Sequence, residues 1–507
     1  MRGPSVLICL DSGTTAVKAA AFDREGRLVA TAQRENSALR RDGSRVEQDM
    51  FATRDDAFAA IAECAAKAHG KVEALILTGQ GDGLWPTGAD SLPVGNAITW
   101  LDGRARSLAS ERRRDGSFDA IEAVTFSQPT AASQSLHLLW LQQNDPERLR
   151  RISHVLRLKE WLFLCLTGTL KAEPSAVLPV WGDWRTGKLT RTAQETLGLE
   201  RGIELLPELE EVGQCSAGLA GDVAATLGLP AAGLPVLLGP GDVQATLIGL
   251  GLGTRAGVAR ASIFGTSAIH ARHLLDPLAM PEKPAGAMVQ KFVLGEGFLC
   301  FHPSFNGATL FRHVANLVGQ DGADGGKPTY SNVVLHPFFE PGGERAPYTS
   351  PHARGAAFGL SAATRPEELA WAAREALAFV ACKSHDMMGH ADGELALGGG
   401  LAADPDFGKF LATTMKAPVQ TMAGAHAGLR GLGAIAAVTL GWANSSEVAS
   451  RWIGAPDARI EPDIGRVADY AAQKFDIFSR LVDAMSPLWE ELGVLGDRAT
   501  ELRKECA

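Results

Sequence analysis

The chain has 507 residues, with 58 Asp and Glu against 49 Lys and Arg and a formal net charge of -9. This length exceeds what one hydrophobic core usually serves, so we expect two domains. The acidic balance disfavours a nucleic-acid partner, because affinity for nucleic acid depends on cations that neutralise phosphates. No stretch approaches the ~18 apolar residues of a membrane span. Seven scattered cysteines without a CxxC pair favour a reducing cytoplasm over a disulfide framework.

The first half of the chain mixes strand patterns with one helical pattern. Short apolar runs alternate with turns rich in Gly, Asp and Thr, which is typical of strands joined by tight connections. The predicted strands cover residues 6–10, 16–22, 28–33, 72–77 and 235–238, and the predicted helix covers residues 55–68.

The second half opens like the first, because an apolar run again breaks at a Gly/Thr turn and then resumes. This similarity suggests a duplicated ancestral domain. We place the boundary in the glycine-rich stretch 247–257, which gives domains 1–248 and 249–507. The predicted strands here cover residues 258–264, 268–273 and 395–397, and the predicted helices cover 367–387 and 469–492.

The turn after the first strand has residues suited to phosphate chemistry. Gly13 would let backbone N–H groups approach phosphate oxygens, and the hydroxyls of Thr14 and Thr15 would add donors. The Asp11 carboxylate could hold a hydrated Mg²⁺, with Lys18 as a nearby cation. The alternative is a plain β-turn, because Asp, Gly and Thr are common turn residues.

Two further glycine turns follow apolar strands in the second half. Gly265-Thr266-Ser267 has the same design, and Gly398-Gly399-Gly400 is a third place where backbone could pass close to a nucleotide. Three such turns favour an ATP-binding site over three unrelated turns. None of them matches the Walker A or the GxGxxG pattern, which disfavours P-loop and Rossmann folds.

Seven motifs in order along the chain resemble those of the FGGY family of carbohydrate kinases. The resemblance implies the actin and heat-shock-chaperone ATPase fold, which is an α/β fold of two RNase H-like domains with a central cleft. The motifs are LDSGTTAVKAAAFD, TGQGDGLW, NAITWLDGRA, GPGDVQATLIGLG, SIFGTSA, GERAPYTSPHARGAAFGL and LALGGGLAADPDF.

The resemblance also implies a role for particular residues. Asp11 would position Mg²⁺, and Asp242 occupies the position of the family's general base, although an Asp after a Gly-Pro-Gly turn can equally be a helix N-cap. The implied phosphate and ATP contacts are Thr14, Thr15, Lys18, Gly265, Thr266, Gly399, Gly400 and Asp404. The implied substrate contacts are Gln80, Asp82, Trp85, Asp102 and Asp242.

The segment Gly79-Gln80-Gly81-Asp82-Gly83 departs from the Gly-Gln-Met-His-Gly that is usual in xylulose kinases of the family. Asp82 therefore replaces the histidine that would face the sugar. A carboxylate accepts hydrogen bonds from hydroxyls but does not donate to a carbonyl oxygen, which favours a polyol over a ketose. The segment with its following Trp85 most resembles erythritol kinases, with L-xylulose kinases next. Trp85 could stack on substrate carbons or belong to the core.

We therefore expect an ATP- and Mg²⁺-dependent kinase of a small polyol or sugar, with an erythritol-like substrate favoured. A pentulose kinase, for L-xylulose or D-xylulose, is the alternative within the family. A non-catalytic sugar sensor and a chaperone or filament ATPase are alternatives from other classes, and retention of Asp11 and Asp242 argues against the sensor. The expected partner is the small-molecule substrate, and the sequence leaves a homodimer open.

Overall fold

The computed structural model describes residues 5–229, 233–276, 278, 285–319, 327–340, 342–389, 391–424 and 426–505. These residues form two compact units. The N-terminal unit holds the described residues up to Thr254 together with Val289–Leu299 and His426–Ala455. The C-terminal unit holds the described residues of Arg255–Met288 and Cys300–Ala425 and those from Pro456 onward. Two segments of the second half of the chain thus pack with the N-terminal unit.

Up to Thr254 the chain contains fifteen strands and ten α-helices among its described residues. The strands are β1 (Ser5–Ser12), β2 (Ala16–Asp23), β3 (Leu28–Glu35), β4 (Leu39–Asp42), β5 (Arg45–Gln48), β6 (Lys71–Gly79), β7 (Gly83–Thr87), β8 (Ala97–Thr99), β9 (His154–Leu156), β10 (Lys171–Ala172), β11 (Gly182–Asp183), β12 (Lys188–Leu189), β13 (Glu208–Leu209), β14 (Ser216–Gly218) and β15 (Pro235–Leu238). The helices are α1 (Met50–Ala68), α2 (Arg106–Arg114), α3 (Ser117–Thr125), α4 (Gln134–Asn144), α5 (Pro146–Arg151), α6 (Leu158–Thr167), α7 (Pro174–Trp181), α8 (Thr192–Leu197), α9 (Gly221–Leu227) and α10 (Asp242–Gly249).

After Thr254 the described residues form nine further strands and seven further α-helices. The strands are β16 (Val258–Phe264), β17 (Ala268–Leu274), β18 (Met288–Lys291), β19 (Phe298–Ser304), β20 (Val334–His336), β21 (Ala356–Phe358), β22 (Glu394–Gly399), β23 (Val419–Met422) and β24 (Ala458–Ile460). The helices are α11 (Thr309–Val318), α12 (Pro366–Met387), α13 (Pro405–Met415), α14 (Ala427–Thr439), α15 (Ser445–Val448), α16 (Arg466–Met485) and α17 (Trp489–Glu505).

The main sheets of the two units share one topology. In the N-terminal unit β1 is antiparallel to β2 and parallel to β6, which is in turn parallel to β15. In the C-terminal unit β16 is antiparallel to β17 and parallel to β22, which is in turn parallel to β23. The repeated pattern agrees with the duplication inferred from the sequence. It also brings the carboxyl ends of three parallel strands to one edge of each sheet.

Local sequence explains most of the elements that flank these edges. The central strand β1 is apolar and buried from Val6 to Leu10, as expected for a strand covered on both faces. Helix α1 begins earlier than the sequence pattern indicated, because the Asp49 side chain accepts hydrogen bonds from the amides of Phe51 and Ala52 and caps the helix.

The expected C-terminal helix over residues 469–492 is wrong in one respect. The structure has two helices there, α16 and α17, separated by a short 3₁₀ turn over Ser486–Leu488. Pro487 lies in this turn and has no N–H to continue an α-helical ladder. The helix expected over residues 367–387 is confirmed as α12. No helix within the described part of the chain is long and apolar enough to cross a membrane.

Helix α14 comes from the second half of the chain and packs directly against α10 of the N-terminal unit. A methyl group added at Gly431 would lie 1.8 Å from the carbonyl oxygen of Ala245, and one added at Gly249 would lie 1.8 Å from that of Ala427. Side chains larger than hydrogen therefore cannot occupy these two positions without moving a helix. The close approach fixes α10, which begins at Asp242.

We expect Gly431→Ala to lower the free energy of unfolding by about 3 kcal/mol or more, because the added methyl group forces the two backbones apart. Gly496→Ala is the matched control, since an added methyl group there meets nothing within 4 Å on helix α17. The control should be as stable as the parent or more stable, because Ala is the better helix former. Urea unfolding of both variants measures the difference. Equal stabilities would contradict the close packing.

Candidate active site

The turn between β1 and β2 is held in shape by hydrogen bonds from three directions. The Gly13 amide donates to the Ala16 carbonyl at 3.1 Å, and the Asn36 side-chain amide donates to the Thr14 carbonyl at 3.0 Å. The Trp100 indole N–H donates to the Thr14 hydroxyl at 3.0 Å. Thr15 stays exposed at the tip. The turn is therefore rigid and still presents polar groups outward.

Asp11 is the second-to-last residue of β1, and Lys18 lies opposite it in the antiparallel register with β2. Burial raises the pKa of the Asp11 carboxyl to about 6, although the charge of Lys18 lowers it. A methyl group added at Gly428, in the first turn of α14, would lie 3.4 Å from Oδ2 of Asp11. The start of α14 thus lies beside the carboxylate. This contact was not predicted from the sequence. The sequence feature that indicates it is the group Gly428, Gly431 and Gly433 on one helix, since closely spaced glycines allow another element to approach.

Asp242 follows the Gly-Pro-Gly turn after β15 and is the first residue of α10. Its Oδ1 accepts a hydrogen bond from the Val243 amide at 2.9 Å. Burial, together with the charges of Asp11 and Asp82, raises the pKa of the Asp242 carboxyl to about 7, although the hydrogen bond from Val243 lowers it. Gly241, not Asp242, is the N-cap residue of α10, so the N-cap interpretation of Asp242 is wrong, while its catalytic role stays a prediction.

The turns after β6 and β15 lie against each other. A methyl group added at Gly241 would lie 3.9 Å from the Gly81 Cα, and one added at Gly81 would lie 4.0 Å from Oδ1 of Asp242. The Thr78 hydroxyl donates to the Pro240 carbonyl and ties the two strand ends together. Because β1, β6 and β15 are parallel neighbours, their ends bring Asp11, Asp82 and Asp242 into one electrostatic group. Asp82 is half-buried within it.

Three residues expected to contact substrate have buried side chains. Trp85 is fully buried in the core, and Gln80 is buried with its amide nitrogen donating to Oε1 of Gln48 at 3.3 Å. Asp102 is buried as well, and its two oxygens accept hydrogen bonds from the Arg104 guanidinium and the Val46 amide. These hydrogen bonds lower the pKa of the Asp102 carboxyl, against its burial. The substrate contacts expected of Gln80, Trp85 and Asp102 stay predictions.

In the C-terminal unit the two glycine turns lie side by side. Phe264 pairs with Gly399 at the ends of the parallel strands β16 and β22, so Gly265 and Thr266 follow one strand while Gly400 follows the other. Thr266, Gly399 and Gly400 are exposed. Gly399 has a φ of 82°, and an added methyl group would lie 2.3 Å from the Phe264 carbonyl oxygen, so only glycine fits. Exposed backbone without side chains suits close contact with a phosphate or a nucleoside.

Asp404 lies beyond the Gly400 turn and caps α13. Its carboxylate accepts a hydrogen bond from the Phe407 amide at 3.0 Å and pairs with the Arg374 guanidinium at 3.0 Å. The side chain is thereby engaged in holding α13 to α12. Its expected contact with adenosine stays a prediction.

The Mg²⁺ that the resemblance implies fits the chemistry at Asp11. Oδ1 of Asp11 is buried and accepts no hydrogen bond from the described residues. Mg²⁺ binds through one or two carboxylates together with phosphate oxygens and water. No group of three or more His, Cys, Asp or Glu residues in the described ranges could form a cage for a metal. Asp11 therefore suits a Mg²⁺ ion whose other ligands would be phosphate oxygens and water.

Comparisons with known proteins agree with this geometry. The chain is 29% identical to the erythritol kinase of Brucella abortus (strain 2308), covering 96% of this chain and 98% of that protein. It is 27% identical to the xylulose kinase of Escherichia coli (strain K12), covering 76% and 79% of the two chains. The crystal structure of gluconate kinase from Lactobacillus acidophilus superposes with a TM-score of 0.87 at 21% identity, covering 96% and 99%.

The likeness in structure confirms the expected α/β fold of two RNase H-like units. Two family models match the chain: the N-terminal domain of the FGGY family of carbohydrate kinases covers residues 6–249, and the C-terminal domain of that family covers residues 260–440. The chain belongs to the FGGY family of carbohydrate kinases and is a phosphotransferase.

Proposed function

We propose that this kinase transfers the γ-phosphate of ATP to a primary hydroxyl of a small polyol, with an erythritol-like tetritol as the favoured substrate. The observation that carries the proposal is the group of carboxylates at the ends of β1, β6 and β15, in which the pKa of Asp242 is raised to about 7. A pKa near the working pH is suited to a general base. The 29% identity to an erythritol kinase supports the choice of polyol.

In the proposed reaction Asp242 accepts the proton of the attacking hydroxyl, and Asp82 accepts hydrogen bonds from neighbouring hydroxyls of the same molecule. Lys18, Thr14 and Thr15 bind the phosphate being transferred. Phosphoryl transfer needs mainly positioning and charge neutralisation, which these groups supply. Asp11 would hold Mg²⁺, which would neutralise charge on the phosphates.

Nucleotide binding is assigned to the C-terminal unit. Gly265 and Thr266 present backbone and hydroxyl donors to the phosphates, while Gly399 and Gly400 border the adenosine. Asp404 contributes by fixing the helix that follows, through its pair with Arg374. Gln80, Trp85 and Asp102 form the wall behind the substrate in this proposal, because their side chains are buried.

The alternative substrate class is a pentulose, which the identity to a xylulose kinase supports. A sensor without turnover is less compatible with the structure. A binding protein gains nothing from burying Asp11 and Asp242 near each other, since each raises the cost of charging the other.

We expect ADP release only when ATP, Mg²⁺ and a polyol are present together. We also expect Asp242→Asn to lower kcat by ~10² or more, because the amide cannot accept the proton of the attacking hydroxyl. Asp222→Asn, which removes an exposed carboxylate of the same unit on α9, is the control and should keep full activity. A coupled assay of ADP release over a panel of polyols and ketoses measures both. ATP hydrolysis unchanged by any sugar, or an Asp242→Asn loss below threefold, would refute the proposal.

The same variant has an expected effect on stability without Mg²⁺. The pKa of Asp242 rises from 3.8 to about 7 on folding, so between these values the unfolded chain gives up its proton first and the folded state loses stability as the pH increases. Asp242→Asn removes this penalty. Its Tm should exceed that of the parent at pH 8 and converge with it near pH 4.

Substrate preference should depend on Asp82. We expect kcat/KM for erythritol to exceed that for D-xylulose, because a carboxylate left without a hydroxyl donor is costly to bury, a loss that can reach ~10⁴. Asp82→His should narrow or reverse the ratio, since a histidine can donate to a carbonyl oxygen. Asp90→His, at an exposed turn after β7, is the control. The role of Asp82 in substrate choice would be contradicted if the parent enzyme had the higher kcat/KM for D-xylulose and Asp82→His ranked the two substrates in the same order.

A further inference from the structure

Four charged side chains are buried together at the starts of α6 and α7. Lys159 and Glu173 are 0% exposed, and Arg157 and Glu160 are 1% exposed. Burying charges costs several kcal/mol per ion unless pairing and hydrogen bonds compensate, and apolar residues of similar size would often be as stable. A buried group of this kind therefore calls for a reason other than stability.

One end of this charged group reaches the turn that carries Asp82. The Arg157 backbone amide donates to Oε2 of Glu160 at 2.7 Å, which fixes the first turn of α6. The Arg157 side chain then donates through Nε to the carbonyl oxygen of Gly81 at 3.0 Å. The group thus holds the backbone immediately before Asp82.

The other end reaches the turn that carries Asp242. Lys159 pairs with Oε1 of Glu173 at 2.8 Å, and the Ser175 hydroxyl donates to the same oxygen at 2.8 Å. The amide of Gly241, the residue before Asp242, in turn donates to the Ser175 hydroxyl oxygen at 3.3 Å.

The chemistry of the hydroxyl gives this chain of bonds one direction. A serine hydroxyl has a single hydrogen. Because an ionised Glu173 can only accept, that hydrogen is committed to the carboxylate, and the oxygen is left to accept from Gly241. Lys159 pairs with the same carboxylate oxygen that accepts from the Ser175 hydroxyl, so the ion pair orients this hydroxyl.

We infer that Ser175, oriented by the Lys159–Glu173 pair, is a positioning residue for Asp242. It fixes the Gly241 amide and with it the start of α10, so that the carboxylate meets the substrate hydroxyl in the right place. Small displacements of a catalytic group cost large factors in rate, which explains why a costly charge pair is kept so close to this turn. The inference rests on the proposed role of Asp242 as general base.

The test compares Ser175→Ala with Thr125→Val, which removes another buried hydroxyl of the same unit; that hydroxyl donates to the Ser127 carbonyl. We expect Ser175→Ala to lower kcat by ~10- to 100-fold, with KM for ATP and polyol changed less than threefold. Ser175→Thr, which retains the hydroxyl, should recover most of the rate. Thr125→Val should lower Tm and leave kcat within twofold of the parent.

A double variant separates positioning from a general loss of structure. If Ser175 acts through Asp242, adding Ser175→Ala to Asp242→Asn should cause little further loss of kcat, because the two changes disable one unit. If Ser175→Ala does not fold, Ser175→Cys takes its place in the single variant and in the double variant. Cysteine has nearly the volume of serine, but its sulfur is a weak hydrogen-bond acceptor.

Losses that multiply in the double variant, or a Ser175→Ala enzyme with the parent's kcat, would overturn the inference. In either case a low kcat for Asp242→Asn would leave the proposed function intact. Full activity of Asp242→Asn would instead remove the general base, and with it the basis for any positioning through it.

Discussion

Electrostatic repulsion between the carboxylates of Asp11 and Asp242 is the constraint on which the N-terminal unit depends. Burial raises the pKa of both groups, and the charge of Asp11 also raises the pKa of Asp242. Left to relax, such groups would move apart or reach solvent. The backbone around them therefore has to be held from outside, and the structure supplies two such supports: the glycine contacts between α10 and α14, and the Ser175 hydroxyl on Gly241.

The two units have the same strand topology but present different chemistry at the equivalent edge. In the N-terminal unit the strand ends carry acidic side chains, which suit proton transfer and a cation. In the C-terminal unit the equivalent edge carries Gly265, Thr266, Gly399 and Gly400, which offer backbone and hydroxyl groups without charge. The same strand topology thus holds two kinds of turn, and the difference lies in a few residues close to the end of each strand.

Local pattern was sufficient to predict eight of the described strands, namely β1, β2, β3, β6, β15, β16, β17 and β22, because an apolar run bounded by turn residues is visible in the sequence itself. It also placed Asp11, Asp82 and Asp242 in turns close to strand ends, whereas the structure has Asp11 within β1 and Asp242 at the start of α10. It could not show that Asp102 and Trp85 are buried, since burial depends on Arg104, Val46 and core residues brought together by the fold. Nor could it show that α14 packs against α10, because no local pattern around Gly431 indicates a contact with Ala245.

The return of α14 to the N-terminal unit also governs the order in which the protein can be completed during synthesis. Residues up to Thr254 leave the ribosome long before His426–Ala455, which belong to the same compact unit. Until Ala427–Thr439 has emerged, the face of α10 that receives Gly428 and Gly431 has no helix to cover it. The N-terminal unit therefore stays incomplete while the residues of β16 to β23 are synthesised, and its packing is finished only when α14 is available.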